Sequence, residues 1–286
     1  MLLRDHREFL QGLAQYDTLI ATYFSNNMIL NKVVTEAWRF ELLVYTLYLH
    51  GMRDAADPRS GLTNANLQKI CARQQCASPG RILAIIGIMR VGGYLRRQKS
   101  ALDSRIVLLE PTPHFIGIVE GWNQRILQII DAIVPQGALA LAHATHPEFG
   151  SLMRRRGALA ILEGWKLLEP FPEVMHFVSR DGGWMLLLSC VAAMVRQGGG
   201  REIVPISLEL KGFGKRFGVS RSHLRRLLES AHAAGLLDAP PRNGAHILLA
   251  PRLVAAFLAC MASELANYRL WALATRDDLA LALAAD

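Results

Sequence analysis

The chain has 286 residues, 51% of them hydrophobic, 20% charged and 7% aromatic, with 32 Lys and Arg against 24 Asp and Glu for a net charge of +8. At about 150 residues per domain this allows roughly two domains with real cores, and the apolar content excludes disorder over most of the length. Four cysteines (Cys71, Cys76, Cys190, Cys260) exclude a disulfide scaffold.

Met1-Leu2-Leu3 is followed at once by Arg4, Asp5, Arg7 and Glu8, which does not read as a secretory leader. Residues 1–35 form an N-terminal helical segment, with Phe9, Leu10, Leu13, Tyr16, Leu19, Ile20, Tyr23 and Phe24 at helical spacings. An apolar helix follows from Trp38 to Leu49, then a helix from Asn64 to Gln74. Ala77-Ser78-Pro79 turns into another helix with Pro79 at its first position. That helix runs to Gly92-Gly93, and a β-hairpin follows with its tip near Lys99 to Asp103. Residues 121–181 are a helical connector: Trp122 to Ile133, a break at Pro135-Gln136-Gly137, and two more apolar stretches. Arg154-Arg155-Arg156 reads there as a solvated helix face.

An apolar helix near Trp184 to Val195 opens the last part. This longest apolar run is interrupted by Ser189 and is too short for a bilayer, so no membrane partner and a soluble, cytoplasmic protein are expected. Gly198-Gly199-Gly200 reads as a loop. Leu210, Phe213 and Phe217 mark a helix, and Gly218-Val219-Ser220 a tight turn with Ser220 as N-cap of the next. That helix buries Leu224, Leu227, Leu228 and Ala231 and stops at Gly235. Leu236-Leu237 and Ile247-Leu248-Leu249 are strands about the turn Pro240-Pro241-Arg242-Asn243-Gly244. Residues 253 to 274 give a final apolar helix through Phe257, Leu258, Met261, Leu265, Tyr268 and Trp271.

The chain repeats itself. Residues 78 to 86 align with 220 to 228 at a shift of 142, and the same shift sets Gly93-Tyr94-Leu95 on Gly235-Leu236-Leu237. Residues 106 to 111 match 246 to 251 at a shift of 140. An ordered series of matches makes two copies of one unit: helix, turn, helix, hairpin. Charge follows the repeat. Residues 62 to 109 carry eight basic groups and one acid, and residues 201 to 252 nine and four, so the remainder is net negative. Two basic segments are the footprint of a polyanion binder.

Phe213 to Leu228 resembles the helix-turn-helix of bacterial winged-helix transcriptional regulators. Leu108-Leu109-Glu110-Pro111-Thr112-Pro113 is similar to the exit from the wing in multiple-antibiotic-resistance (MarR-type) regulators. The resemblance implies a mainly α fold with small β-hairpin wings: tandem winged helix-turn-helix domains joined by helices and related by a pseudo-two-fold. Winged-helix unit 1 spans 36–120, and unit 2 with its C-terminal helix spans 182–286. It implies double-stranded DNA as partner and admits a small-molecule effector. The chain departs from the family by carrying two units, so it is a monomeric pseudo-dimer or a homodimer.

The two second helices offer different chemistry. In copy two, Ser220, Arg221, Ser222, His223, Arg225 and Arg226, with Arg242 in the turn, can read bases and hold phosphates. In copy one, Arg81 is followed by the apolar run Ile85 to Met89, while Arg73, Arg96, Arg97, Lys99 and Arg105 surround it. Copy one is therefore expected to grip phosphates and copy two to read sequence. Cys71 and Cys76, and His143 with His146, fit no metal pattern, and no phosphate loop or nucleophile motif is present. No cofactor and no enzymatic activity are expected. Tandem winged helices in plasmid initiators, chromosome-partition subunits and protein-interaction modules are the other readings.

Overall fold

The computed structural model describes residues 3–198, 202–238 and 246–285. Within them the apolar residues at helical spacing become helices, and the chain is mainly helical with two small antiparallel sheets. Helix α1 (Phe9–Phe24) buries Phe9, Leu13, Tyr16, Leu19, Ile20 and Phe24. Asn26, with φ 60°, takes the left-handed conformation that Asn tolerates and separates α1 from α2 (Met28–Val34). Helices α3 (Ala37–Gly51), α4 (Asn64–Arg73) and α5 (Pro79–Val91) follow. Thr63 caps α4 by accepting from Asn66 N at 3.0 Å, and Pro79 opens α5. Strand β1 (Leu95–Lys99) then pairs antiparallel with β2 (Val107–Pro111), Leu95 opposite Pro111.

Helices α6 (Pro113–Ile133), α7 (Leu139–Thr145) and α8 (Phe149–Leu162) lead to α9 (Pro172–Val178) and α10 (Gly183–Gly198). The last part holds β3 (Ile206–Ser207), α11 (Leu210–Phe217), α12 (Arg221–Ala233), β4 (His246–Ile247) and α13 (Pro251–Ala285). The middle thus contains three helices after the Pro135 break instead of two. The last helix is longer than its apolar spacing suggested. Gly199, Gly200 and the turn around Arg242 lie outside the described residues.

The duplication extends beyond the matching sequence. Helices α5 and α12 are both 13 residues long and follow Ser78 and Ser220 at the shift of 142. Each runs out through a left-handed glycine, Gly93 (φ 71°) or Gly235 (φ 67°). Tyr94 N donates to Met89 O at 2.8 Å, and Leu236 N to Ala231 O at 2.8 Å, the same closing bond in both copies. The sequence hid a short backbone pairing just before each copy's first matching helix: an isolated bridge from Thr63 to Leu108, and Ser207 of β3 opposite His246 of β4. The return strand also needs a correction. Leu95 opposes Pro111 while Leu237 opposes Leu249, and Pro113 and Pro251 open α6 and α13. All these place the return strands at a shift of 138, not 140. A slip of two residues keeps the same strand face inward, so alternation alone could not detect it. Helices α2 and α9 are seven residues each, Trp38 and Trp184 are second in α3 and α10, and buried Phe9 and Phe149 open α1 and α8.

Packing divides the chain into two compact units, each assembled from both copies. One comprises Met1–Asn31, Ile126–Ala138 and Lys166–Arg269; the other Lys32–Arg125, Leu139–Trp165 and Leu270–Asp286. Residues 182–252 lie wholly in the former and 36–120 wholly in the latter. In the former, α1 packs on α10 although the two belong to different copies; in the latter, α8 packs on α3. A Cβ on Gly12 of α1 would lie 2.8 Å from Ile133, and one on Gly157 of α8 would lie 3.0 Å from Trp271. Ile133 and Trp271 are equivalent at the shift of 138. The exchange of arms is reciprocal.

The arms are held by different polar contacts. The Tyr16 hydroxyl donates to Glu264 Oε1 at 2.9 Å, tying α1 to α13. Arg154 reaches Glu120 at 2.5 Å, and His143 Nε2 lies 2.9 Å from the other Glu120 oxygen. Its Nδ1 is 2.7 Å from Gln124 Oε1. Arg156 pairs with Asp278. The expected solvated face at 154–156 is thus corrected: two of its three arginines fasten the arm, and only Arg155 is exposed. The four cysteines are unbridged. By length and composition α13, over Pro251–Ala280, could cross a bilayer, yet Leu253, Phe257, Cys260, Met261, Leu265 and Ala272 are buried in the protein.

Candidate nucleic-acid interface

Helices α11 and α12 are joined by a turn that sequence chemistry specifies tightly. Gly218 has φ 71°, and a Cβ on Gly214 would run into Val219 O. The Ser220 hydroxyl accepts from His223 N at 3.2 Å and starts α12. Phe213 and Phe217 pack with ring centroids 4.6 Å apart and planes tilted by 49°, and the Arg216 guanidinium covers Phe217 at 4.7 Å. The exchanged arm buttresses this corner. Asn31 Nδ2 donates to Phe217 O at 3.0 Å and to Phe24 O at 2.9 Å, and Asn26 N donates to Arg216 O at 2.7 Å.

With Leu224, Leu227, Leu228 and Ala231 buried, α12 leaves Arg221, Ser222, Arg225, Arg226 and Glu229 exposed. Arg225 is paired with Glu229 at 3.3 Å, while Arg226 has no partner among the described residues. His223 is turned away from this face. It is half-buried, and its Nε2 lies 3.1 Å from Asp181 O, so it supports the helix from behind. His176 Nε2 of α9 and a nitrogen of Arg180, just after that helix, both lie 3.3 Å from Ser230 Oγ and fix the far end of α12. Lys211 and Lys215 of α11 are exposed beside this corner and have no partner among the described residues. Sequence reasoning passed over them; two lysines four apart on the helix before the Gly218–Ser220 turn were the available signal.

In copy one the basic groups divide. Arg96 faces Glu110 across the hairpin at 2.9 Å, and Arg105 grips Asp103 at the tip, also at 2.9 Å. The Arg105 guanidinium holds the Asp103 carboxyl below the usual carboxylate range. These two arginines spend charge inside the hairpin. Arg97 and Lys99 alternate with Arg96 in β1, are exposed, and have no partner among the described residues; the same holds for Arg73 at the end of α4. Arg81 is exposed at the start of α5, with its guanidinium 5.7 Å from the Trp38 ring centroid.

Arg242 lies outside the described residues. Among the described residues no three metal-ligating side chains come together. No family model, curated protein or solved structure matches the chain.

Proposed function

We propose that the chain is a DNA-binding transcriptional regulator made of two winged helix-turn-helix units, in which α12 reads sequence and the first wing holds phosphates. The observation that carries this is the exposed face of α12: Ser222, Arg225 and Arg226 stand outward on a helix capped at both ends and braced by α9, α11 and the exchanged arm. Arginine presented in this way can pair bidentately with guanine, about 1–3 kcal/mol of discrimination per contact. A backbone pairing before α4 and α11, with the β1–β2 hairpin after α5 and the Leu237–Leu249 bridge after α12, follows the strand order of a winged helix and supports the resemblance of the sequence. Arg73, Arg97 and Lys99 are suited to phosphates because nothing among the described residues neutralises them.

On this reading the protein is a monomeric pseudo-dimer, works in the cytoplasm and carries out no covalent chemistry. The test is binding of labelled genomic fragments by the full chain over a salt series. A steep loss of affinity with rising salt, and retention of a subset of fragments against competitor DNA, is the expected result. Salt-insensitive or absent binding would favour a protein-interaction module.

A further inference from the structure

Helices α5 and α12 share length, termini and a buried stripe, and differ on the face they leave open. At the shift of 142, Ser222, Arg225, Arg226, Glu229 and Ala233 of α12 stand where α5 has Gly80, Leu83, Ala84, Gly87 and Val91. A charged face on one helix is an apolar face on the other. Leu83 is 46% exposed and Val91 85%. No atom lies within 4 Å of a Cβ built on Gly80 or Gly87, so internal packing requires neither glycine, although glycine weakens a helix. Next to this face a cleft of about 400 Å³ is lined by Gly87, Arg90, Val91, Leu95, Arg96 and Arg97. Its apolar wall is bordered by positive charge.

We propose that the open face of α5 docks an acidic amphipathic helix of a partner protein. Leu83, Ala84 and Val91 take the partner's apolar side chains, and the bare backbone at Gly80 and Gly87 lets its helix come close. Arg81 and Arg90, exposed on the two flanks of this face, meet its carboxylates. Charge selects this occupant over the others. A second copy of the chain would bring the same arginines together. DNA would satisfy the rim and leave Leu83 and Val91 without hydrogen-bonding bases to read. The inference stands apart from the DNA reading of α12, because it uses none of that helix.

The test is a selection with the immobilised full chain from phage-displayed helical peptides, with a fixed leucine seam and randomised flanking positions. Enriched peptides are expected to carry Asp and Glu at the flanks. They should lose about tenfold or more in affinity for Leu83→Glu or Val91→Glu, which set a like charge against them, and none for Arg226→Ala. Both positions are open to solvent, and unchanged melting curves verify that the variants fold. Absence of enrichment, or enriched peptides indifferent to Val91→Glu, overturns the proposal. So does a dimer of the full chain that Leu83→Glu converts to monomer, which makes a second copy the occupant. A loss of DNA affinity from Val91→Glu as large as that from Arg226→Ala assigns the face to DNA instead.

Discussion

Helices α5 and α12 are a natural experiment in which the scaffold is held and the surface is changed. Both have 13 residues, a Ser before the first, a left-handed Gly after the last, and core positions filled by Ile82, Ile85, Ile86 and Met89 or by Leu224, Leu227, Leu228 and Ala231. The inward residues are interchangeable hydrophobes because burial asks only for volume and apolarity. The outward residues owe nothing to the fold. Arg226 against Ala84, and Arg225 against Leu83, therefore report what each helix meets outside the chain.

The largest effects should come from what the copies share. Ile82 and Leu224 are equivalent and fully buried. Truncating either to Ala should destabilise its own compact unit by about 2–5 kcal/mol in denaturant unfolding. Leu83→Ser, one residue along, should stay within about 0.5 kcal/mol. A large loss from Leu83→Ser would mean that the α5 face is covered and that the contrast between the helices is false.

Next comes the difference in reading. Arg226→Ala should cost about 1–3 kcal/mol on a preferred DNA site and less on random DNA. Arg97→Ala and Lys99→Ala should weaken both kinds of DNA alike, each flattening the salt dependence by about one unit. Equal behaviour of the two sets, in fluorescence anisotropy over a salt series, would erase the division of labour.

The smallest effect separates the two arms. Burial pushes the Glu264 carboxyl up to about 7, against the hydrogen bond from Tyr16 that favours its charge. A carboxyl raised above its unfolded value costs stability as pH climbs from about 4.5 to 7, and the full cost applies above that range. Glu264→Gln should therefore raise the melting temperature by a few degrees at pH 8 and change little at pH 5. The arm at α8 is held by Glu120, which carries His143 and Arg154 and is held below the ordinary range despite its burial. Its contribution should persist at pH 8 and fade only in acid. A Glu264→Gln variant that gains nothing at pH 8 would show that Glu264 is hydrated in solution.

What the sequence displayed was local chemistry. Ser220 as cap, Pro79 at a helix start, and Gly93 and Gly235 as stops are each decided by a residue and its immediate neighbours. Those boundaries were readable. The two-residue strand at Ile206–Ser207 has no periodicity to detect, and the return strand could slide by two without changing its inward face. The exchange of α1 and α8 was hidden for another reason. An amphipathic helix declares that it is buried and not against what, and nothing in Phe9 or Phe149 names α10 or α3 as the partner.

In the candidate site, the arginines of α12 and the cations of the β1–β2 hairpin were identifiable by type. The ion pairs that engage Arg96 and Arg154 depend on cross-strand or long-range neighbours. Asp103, two residues from Arg105, was the exception a close reading could have paired. His223 lies four residues before Leu227, on the flank of the buried stripe, and that spacing was the available sign that it points inward.

The most direct measurement is selection of bound sequences from random double-stranded DNA by the full chain, with the mass of the complex determined on the selected site. Copies that differ at every outward position should select an asymmetric site bound by one chain. One half should be sharply defined and should become degenerate in Arg226→Ala; the other half should tolerate substitution. A strict palindrome bound by a single chain would require α5 and α12 to read alike, and would contradict the account.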